Sequence, residues 1–305
     1  ITFLYGPRYF APLRYLVLSL RTLILLTVRR PDVVYAQNPP VFCPLVSLLY
    51  CRAAGVRLAI DHHSVWKVKT FGGFAGRMIG FLESFVARSA SLNTVPHRIW
   101  GRELASVGVG RILVVHDFVK RNPFGREQAV RNRYAATPVI AIASHGGHPL
   151  ERLEAEAGAA SGVRGLTLLF TGPPSKIANR LQNLPANVRY LGLLPMDEYQ
   201  RLKASCDFAV NITDEPYTLS HVIFEFVASS LPVVSSRQQV VEETFGDSLS
   251  YADESSPRRV AAALSRLAED PNLLMEYRSR VSRLYDKLLE RRESETRDLN
   301  RSLSS

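Results

Sequence analysis

Cysteine is scarce in this sequence. Cys43, Cys51 and Cys206 are three in 305 residues, too few and too scattered for a disulfide framework. They form no C-x-x-C pair of the kind that holds zinc, and a reducing compartment is expected. Acid is missing from the start: no Asp or Glu precedes Asp32, whereas Arg8, Arg14, Arg21, Arg29 and Arg30 carry half of the net charge of +10. Such an excess suits a polyanion, an anionic membrane surface or a phosphorylated ligand, without choosing among them. Gly-x-Ser-x-Gly is absent, which removes the usual serine hydrolase. A Walker-type loop and a complete Gly-x-Gly-x-x-Gly are absent too. No nucleic-acid-binding motif accompanies the basic residues, so nucleic acid is not an expected partner. Nor is there a signal peptide with a small-residue cleavage site. The chain begins Ile-Thr-Phe-Leu-Tyr-Gly, which reads as the middle of a protein, so an N-terminally truncated start is expected.

Uninterrupted apolar runs of spanning length are lacking as well. The nearest is PLRYLVLSLRTLILLTVR at 12–29, barely long enough, with Arg21 near its centre at a cost of about 2.5 to 3.5 kcal/mol on insertion scales. Arg14 and Arg21, seven residues apart, share one helical face. A strand-like Val-Val-Tyr-Ala follows closely, so the first reading is a buried crossover helix packed on a sheet. A basic helix lying on an anionic leaflet is the second, and a span the third.

What is present is alternation. Short apolar or β-branched runs at 33–36, 56–60, 91–95 and 112–115 predict strands in the first half, with a helix over 74–90. In the second half, 139–143, 166–171, 188–191, 208–212, 232–235 and 249–252 read as strands. Helices are predicted between them at 151–160, 176–184, 197–206 and 221–230. Strand and helix at this spacing imply parallel sheets built from βαβ units. From Asp117 to Pro138 the pattern lapses into Pro123, Gly125, five basic residues and two acids, an expected exposed linker. The chain therefore divides into an incomplete Rossmann-like domain at 1–118 and a fuller one at 138–271. A long amphipathic helix from Asn272 to about Arg292 follows, with a tail expected to fray. Two doubly wound sheets would leave a ligand-binding cleft at their strand ends.

The residues that suggest chemistry concentrate at 211–236, NITDEPYTLSHVIFEFVASSLPVVSS. Ser220 stands where an N-cap belongs, and the free N–H groups of such a helix start favour a phosphate. Glu225 stands among Val222, Ile223, Phe224, Phe226 and Val227, where a carboxylate needs a strong partner. Ribose hydroxyls would serve, and so would a linker arginine. His221, one turn earlier, reaches toward the same place. Earlier, Ser144-His145-Gly146-Gly147-His148 follows a predicted strand, and its small residues would let the backbone approach a ligand. In Asp61-His62-His63, neighbouring side chains on an extended chain point opposite ways, and no further ligand recurs at metal spacing. A metal is not expected, and His62 reads as a solvent-exposed turn.

Phe224-Glu225-Phe-Val-Ala-Ser-Ser-Leu-Pro232-Val-Val resembles the L-E-A-M-A-x-G-x-P-V-V signature of the retaining GT-B glycosyltransferases of family four. RPDVVYAQNPP at 30–40, LAIDHHSVW at 58–66 and NVRYLGLLPMDEYQRLKASCDFAVNI at 187–212 are similar to further segments of that family, in its order. The resemblance covers roughly residues 30–285. It implies two Rossmann-like domains facing across a cleft and transfer of a sugar from a UDP- or GDP-sugar, with no metal or other cofactor and with retention of configuration. Relatives carry a first strand and a glycine-rich acceptor loop before the equivalent of residue 1. By the same resemblance Glu225 binds the donor ribose, His63 lies beside the donor sugar, and loop 144–148 runs under the diphosphate.

A second glutamate, which in the family stands eight positions before the first and touches the sugar, is replaced by Tyr217. Glu215 and Asp214 are near enough to substitute. The family's glycine after that loop is Ser220, and Arg152 is the nearest cation where relatives place an arginine and a lysine. The expected catalytic residues are thus His63 and Glu215. Donor binding is expected of Ser144, His145, Gly146, Gly147, Tyr217, Ser220, His221 and Glu225. The implied enzyme is a hexosyltransferase acting on a lipid-linked or polysaccharide acceptor at the cytoplasmic membrane face. A noncatalytic glycosyltransferase-like subunit and a nucleotide-sugar epimerase of the same fold are the alternatives.

Overall fold

The computed structural model describes residues 11–63, 73–214, 216–253 and 255–304, leaving aside the side chains at 11, 12 and 75. Two compact units divide the chain: Ile1–His116 together with Arg292–Ser305, and Asp117–Arg291.

The first unit runs α1 (Ala11–Arg29), β1 (Val33–Asn38), α2 (Phe42–Ala54), β2 (Arg57–His62), α3 (Gly73–Ser89), β3 (Leu92–Val95), α4 (Arg98–Ser106) and β4 (Ile112–Val114). Its four strands pair in parallel in the order β1-β2-β3-β4. Parallel strands need crossover helices, which is why apolar runs and helical periods alternate in the sequence. Val34, Ala36, Leu58 and Ile60 from the sheet pack with Leu48 and Cys51 of α2, Val86 of α3 and Leu26 of α1. The helix α2 stops at Gly55, whose φ of 67° lets its N–H turn back to the Cys51 carbonyl.

The expectation that residues 12–29 form a buried crossover helix is corrected. Along α1, Leu26 is buried, whereas Leu13, Leu16, Leu20, Leu23, Ile24 and Val28 are exposed at three- and four-residue spacing. The helix lies against α2, with the Tyr15 and Phe42 rings 4.9 Å apart, and so buries one narrow side. Among the described residues no helix is long and apolar enough to cross a membrane.

The second unit comprises α5 (Gln128–Tyr134), β5 (Val139–Ser144), α6 (Leu153–Ser161), β6 (Leu166–Thr171), α7 (Pro174–Ile177), β7 (Val188–Tyr190), α8 (Met196–Ser205) and β8 (Phe208–Asn211). It continues with α9 (His221–Ala228), β9 (Val233–Ser236), α10 (Gln239–Phe245), β10 (Ser250–Ala252), α11 (Pro257–Glu269) and the start of α12 (Pro271–Ser304). The sheet is parallel throughout, in the order β10-β9-β8-β5-β6-β7. From β5 the chain winds outward through β6 and β7, then returns to place β8 on the other side. The reversal makes a topological switch point beyond the carboxyl ends of β5 and β8, where open α/β sheets take ligands. Both units are therefore parallel-sheet α/β domains of Rossmann type.

Three sequence expectations need correction. The helix expected at 176–184 is the single turn α7. The stretch at 117–138 is not an exposed linker: Arg131 and Tyr134 are buried, and Arg131 Nη1 donates to the Ser205 carbonyl and to Asp207 Oδ2 at 2.8 and 2.9 Å. Arg126 donates to Asp207 Oδ1 at 2.7 Å, so one buried aspartate ties this segment to the base of β8. The tail does not fray, because α12 continues to Ser304. Its final turns belong to the first unit, where Glu295 accepts from the His116 N–H and its Nδ1 at 2.9 and 2.6 Å. Arg57 also donates to the Leu303 carbonyl there, at 2.6 Å.

Candidate functional site

The switch point of the second unit gathers the polar groups. β5 ends in Ser144, whose Oγ lies 2.8 Å from Thr171 Oγ1 at the end of β6 and 2.9 Å from the Tyr199 hydroxyl of α8. The same hydroxyl is 2.9 Å from Glu225 Oε2 on α9. A carboxylate only accepts, so the phenolic proton belongs to Glu225. Lys203, one turn after Tyr199, places Nζ 2.9 Å from the same oxygen and 4.1 Å from the centre of the Tyr199 ring. The Lys203 side chain is fully buried, and burial pulls its pKa below the usual lysine value against the opposing pull of Glu225. Glu225 keeps 23% of its side chain exposed. Both contacts fall on Oε2, so the lysine and tyrosine grip one oxygen from behind while the carboxylate fronts the surface. Glu225 thus has a strong partner, as its apolar neighbours require, but that partner is Lys203 and not an arginine of the 117–138 segment. Lys203 and Tyr199 went unsuspected in the sequence, although their i, i+4 spacing on a predicted helix was the available signal.

Loop 145–148 forms a second cluster. His145 is fully buried, with Nε2 2.7 Å from Glu156 Oε2, and Glu156 Oε1 accepts from the Ile212 N–H at 2.7 Å. Burial would lower the His145 pKa, but Glu156 and Glu151 outweigh it and push it up to about 9. The N–H groups of Gly146, Gly147 and His148 all donate to the Glu151 carboxylate, at 3.0, 2.8 and 2.8 Å. Glycine is required at 147, where φ is +80° and a Cβ would stand 2.4 Å from Lys176 Cβ. Arg152 pairs with Asp214, and Arg180 spans Glu154 and the Glu151 carbonyl. The cation nearest the loop in sequence is thereby committed elsewhere.

The other expected donor residues fall as follows. Ser220 is the residue before α9, but its side chain makes no cap bond. His221 is exposed, with Nδ1 3.1 Å from Asp117 Oδ2, and that hydrogen bond, opposed by desolvation, raises its pKa. Tyr217 is half-buried in the loop between β8 and α9, and Glu215 lies outside the described residues. In the first unit His63 is exposed just past β2, its N–H donating to the Asn38 carbonyl at 3.1 Å. His62 is not in an exposed turn, a further correction: it is buried, with Nε2 2.9 Å from Asn93 Oδ1. As the last residue of β2 it points inward, which turns His63 outward. Among the described residues no group of three His, Cys, Asp or Glu side chains is placed to hold a metal ion.

Residues 2–117 match the family model described as a Glycosyl transferase 4-like domain, and residues 141–270 the one described as Glycosyl transferases group 1. No curated protein matches the chain in sequence. Among solved structures, Anabaena HepE in complex with UDP and glucose is similar with a TM-score of 0.78 at 15% identity, over 94% of this chain and 81% of that one. Sucrose-phosphate synthase from Thermosynechococcus elongatus gives 0.77 at 16% identity, over 98% and 81%. A glycosyltransferase from Rickettsia africae gives 0.68 at 12% identity, over 97% and 84%. At these identities the structural likeness speaks for the fold, which is GT-B, and the two family models speak for the lineage. Both domains are matched in the expected order, a Glycosyl transferase 4-like domain followed by a Glycosyl transferases group 1 domain, on a GT-B fold.

Proposed function

We propose that this glycosyltransferase takes a hexosyl group from a UDP-sugar and passes it, with retention of configuration, to a lipid-linked or polysaccharide acceptor at the cytoplasmic face of the membrane. The observation that carries the donor half is Glu225. The carboxylate is held by one oxygen on a buried lysine and presented beside the switch point, which suits a vicinal diol such as that of a ribose. The UDP held by HepE favours uridine over guanosine as the base. In this reading the N-terminal end of α9 faces the diphosphate, His63 and Glu215 serve the transferred sugar, and neither a metal nor another cofactor takes part. Catalysis would then be positioning and stabilisation of the departing diphosphate.

Titration calorimetry with UDP and GDP tests it. UDP is expected to bind saturably and Glu225→Gln, which keeps the side chain's shape, to weaken it at least tenfold, about 1.4 kcal/mol. A folded protein that binds neither nucleotide at millimolar concentration would overturn the donor assignment. That outcome would favour a noncatalytic subunit, for which the specific observation is Glu151 filling the loop expected under the diphosphate.

The membrane half rests on α1, whose exposed apolar stripe is accompanied by Arg14, Arg21, Arg29 and Arg30. Such a helix suits the interface of an anionic leaflet. Sedimentation with vesicles should show binding when a third of the lipid is anionic and little with zwitterionic lipid alone. Replacing Leu16 and Leu20 by serine should cost several-fold in binding. Equal binding to both vesicle types would count against this placement.

A further inference from the structure

Three backbone N–H groups converging on one point make a receptor for an anion. In loop 146–148 that point is occupied by Glu151, a carboxylate from the protein's own chain, held at 2.8 to 3.0 Å. Beneath it lies a buried imidazole that the carboxylate meets as an ion pair but not as a hydrogen bond. His145 is fully buried and spends Nε2 on Glu156, while Nδ1 has no hydrogen-bond partner and stands 3.7 Å from Glu151 Oε2. That distance is too long for a hydrogen bond and short enough to aim the ring at whatever fills the nest. A buried ring nitrogen that faces the nest beyond hydrogen-bond reach of the carboxylate, under three convergent amides, gives the nest a further donor for an anion larger than the one in it. A tetrahedral phosphoryl group offers more oxygens and more charge than a carboxylate.

We propose that Glu151 is a specificity-determining residue of the donor site: its carboxylate keeps the place of a donor phosphoryl group, which enters the nest only by displacing it. This rests on the donor reading above and adds an internal competitor to it. The side chain is tethered three residues beyond the nest, so it competes at high effective concentration and reduces the apparent affinity by the fraction of time the nest is filled. Another carboxylate gains little by exchanging with it. A diphosphate, with more oxygens and two adjacent charges, gains the amides, the His145 N–H and the release of a carboxylate into water.

The test compares uridine, UDP and inorganic pyrophosphate by calorimetry on the wild-type chain, Glu151→Ala and Glu151→Gln, with a thermal melt of each. The melts show that the variants fold, and the glutamine variant, which keeps an acceptor for the loop, serves if the alanine variant does not. Removing the carboxylate is expected to tighten UDP and pyrophosphate about tenfold and to leave uridine unchanged. Pyrophosphate that tightens while UDP and uridine bind no form of the protein would uphold the displaceable carboxylate and defeat the donor reading. Pyrophosphate and UDP binding equally or more weakly to folded variants would overturn the proposal and make Glu151 a brace for the loop. Absence of pyrophosphate binding to every form would overturn it as well.

Discussion

Glu225→Ala should destabilise the second unit by about 3 kcal/mol, and adding Lys203→Met should restore most of that loss. The asymmetry lies in burial. Lys203 is fully buried and Glu225 partly exposed, so deleting the glutamate strands an ammonium away from water, whereas deleting the lysine leaves a carboxylate that water still reaches. Breaking a buried pair from one side costs about 3 to 5 kcal/mol, and replacing both partners by apolar groups is often neutral. Denaturant unfolding of the two single variants and the double variant measures the coupling directly, and effects that simply add would sink the idea. The pH dependence has a definite sign. Burial already lowers the Lys203 pKa, and without Glu225 it falls further, so the folded state binds fewer protons there than the unfolded chain. Stability of Glu225→Ala should therefore rise as pH climbs toward 10, narrowing the gap to wild type. For this reason the binding test uses glutamine at 225, not alanine.

The second large effect comes from His145 and Glu156, and its pH dependence has the opposite sign. The His145 pKa is raised from 6.5 to about 9, so its contribution is complete below pH 6.5 and is lost as pH rises through about 9. Melting temperature of the wild-type chain is expected to fall over that window. Glu156→Gln should be destabilised already at neutral pH by about 3 kcal/mol, since it removes the carboxylate that serves both the His145 ring and the Ile212 N–H. Its melting temperature should drop by about 10 °C and show little further fall between pH 6.5 and 9. A wild-type melt that is flat across the window would mean that the His145 ring is neutral there.

Two features of the candidate site stood out in the residues themselves. Glu225 stood out because five apolar neighbours made its burial expensive, and loop 144–148 because a Gly-Gly pair follows a strand. What could not be read was which groups those features meet. Lys203 lies 22 residues before Glu225, on the other side of a strand, and becomes its partner through the packing of α8 beside α9. Glu151 is close in sequence to the loop it fills, yet nothing in the spacing says that its carboxylate turns back instead of outward. What brings the loop's amides round to it includes the positive φ of Gly147, which only the structure shows. Arg131 reads as linker charge and proves to be a buried tie to Asp207, since a salt bridge across 76 residues leaves no periodic trace.

By itself the sequence determined the alternation of strands and helices, the division into two α/β domains and the likeness to glycosyltransferases, because these depend on hydrophobic period and on short motifs that neighbouring residues carry together. Only the tertiary structure decided which ends of the strands lie side by side. By returning β8 to the flank of β5, the winding of the second sheet brings Ser144, Tyr199, Lys203 and Glu225 into one network, and places Glu156 between His145 and Ile212. It also left the apolar stripe of α1 outside, because that helix meets the fold along one side only. Hydrophobic pattern tells a segment that it must bury a face; the order of strands in the sheet tells it against what.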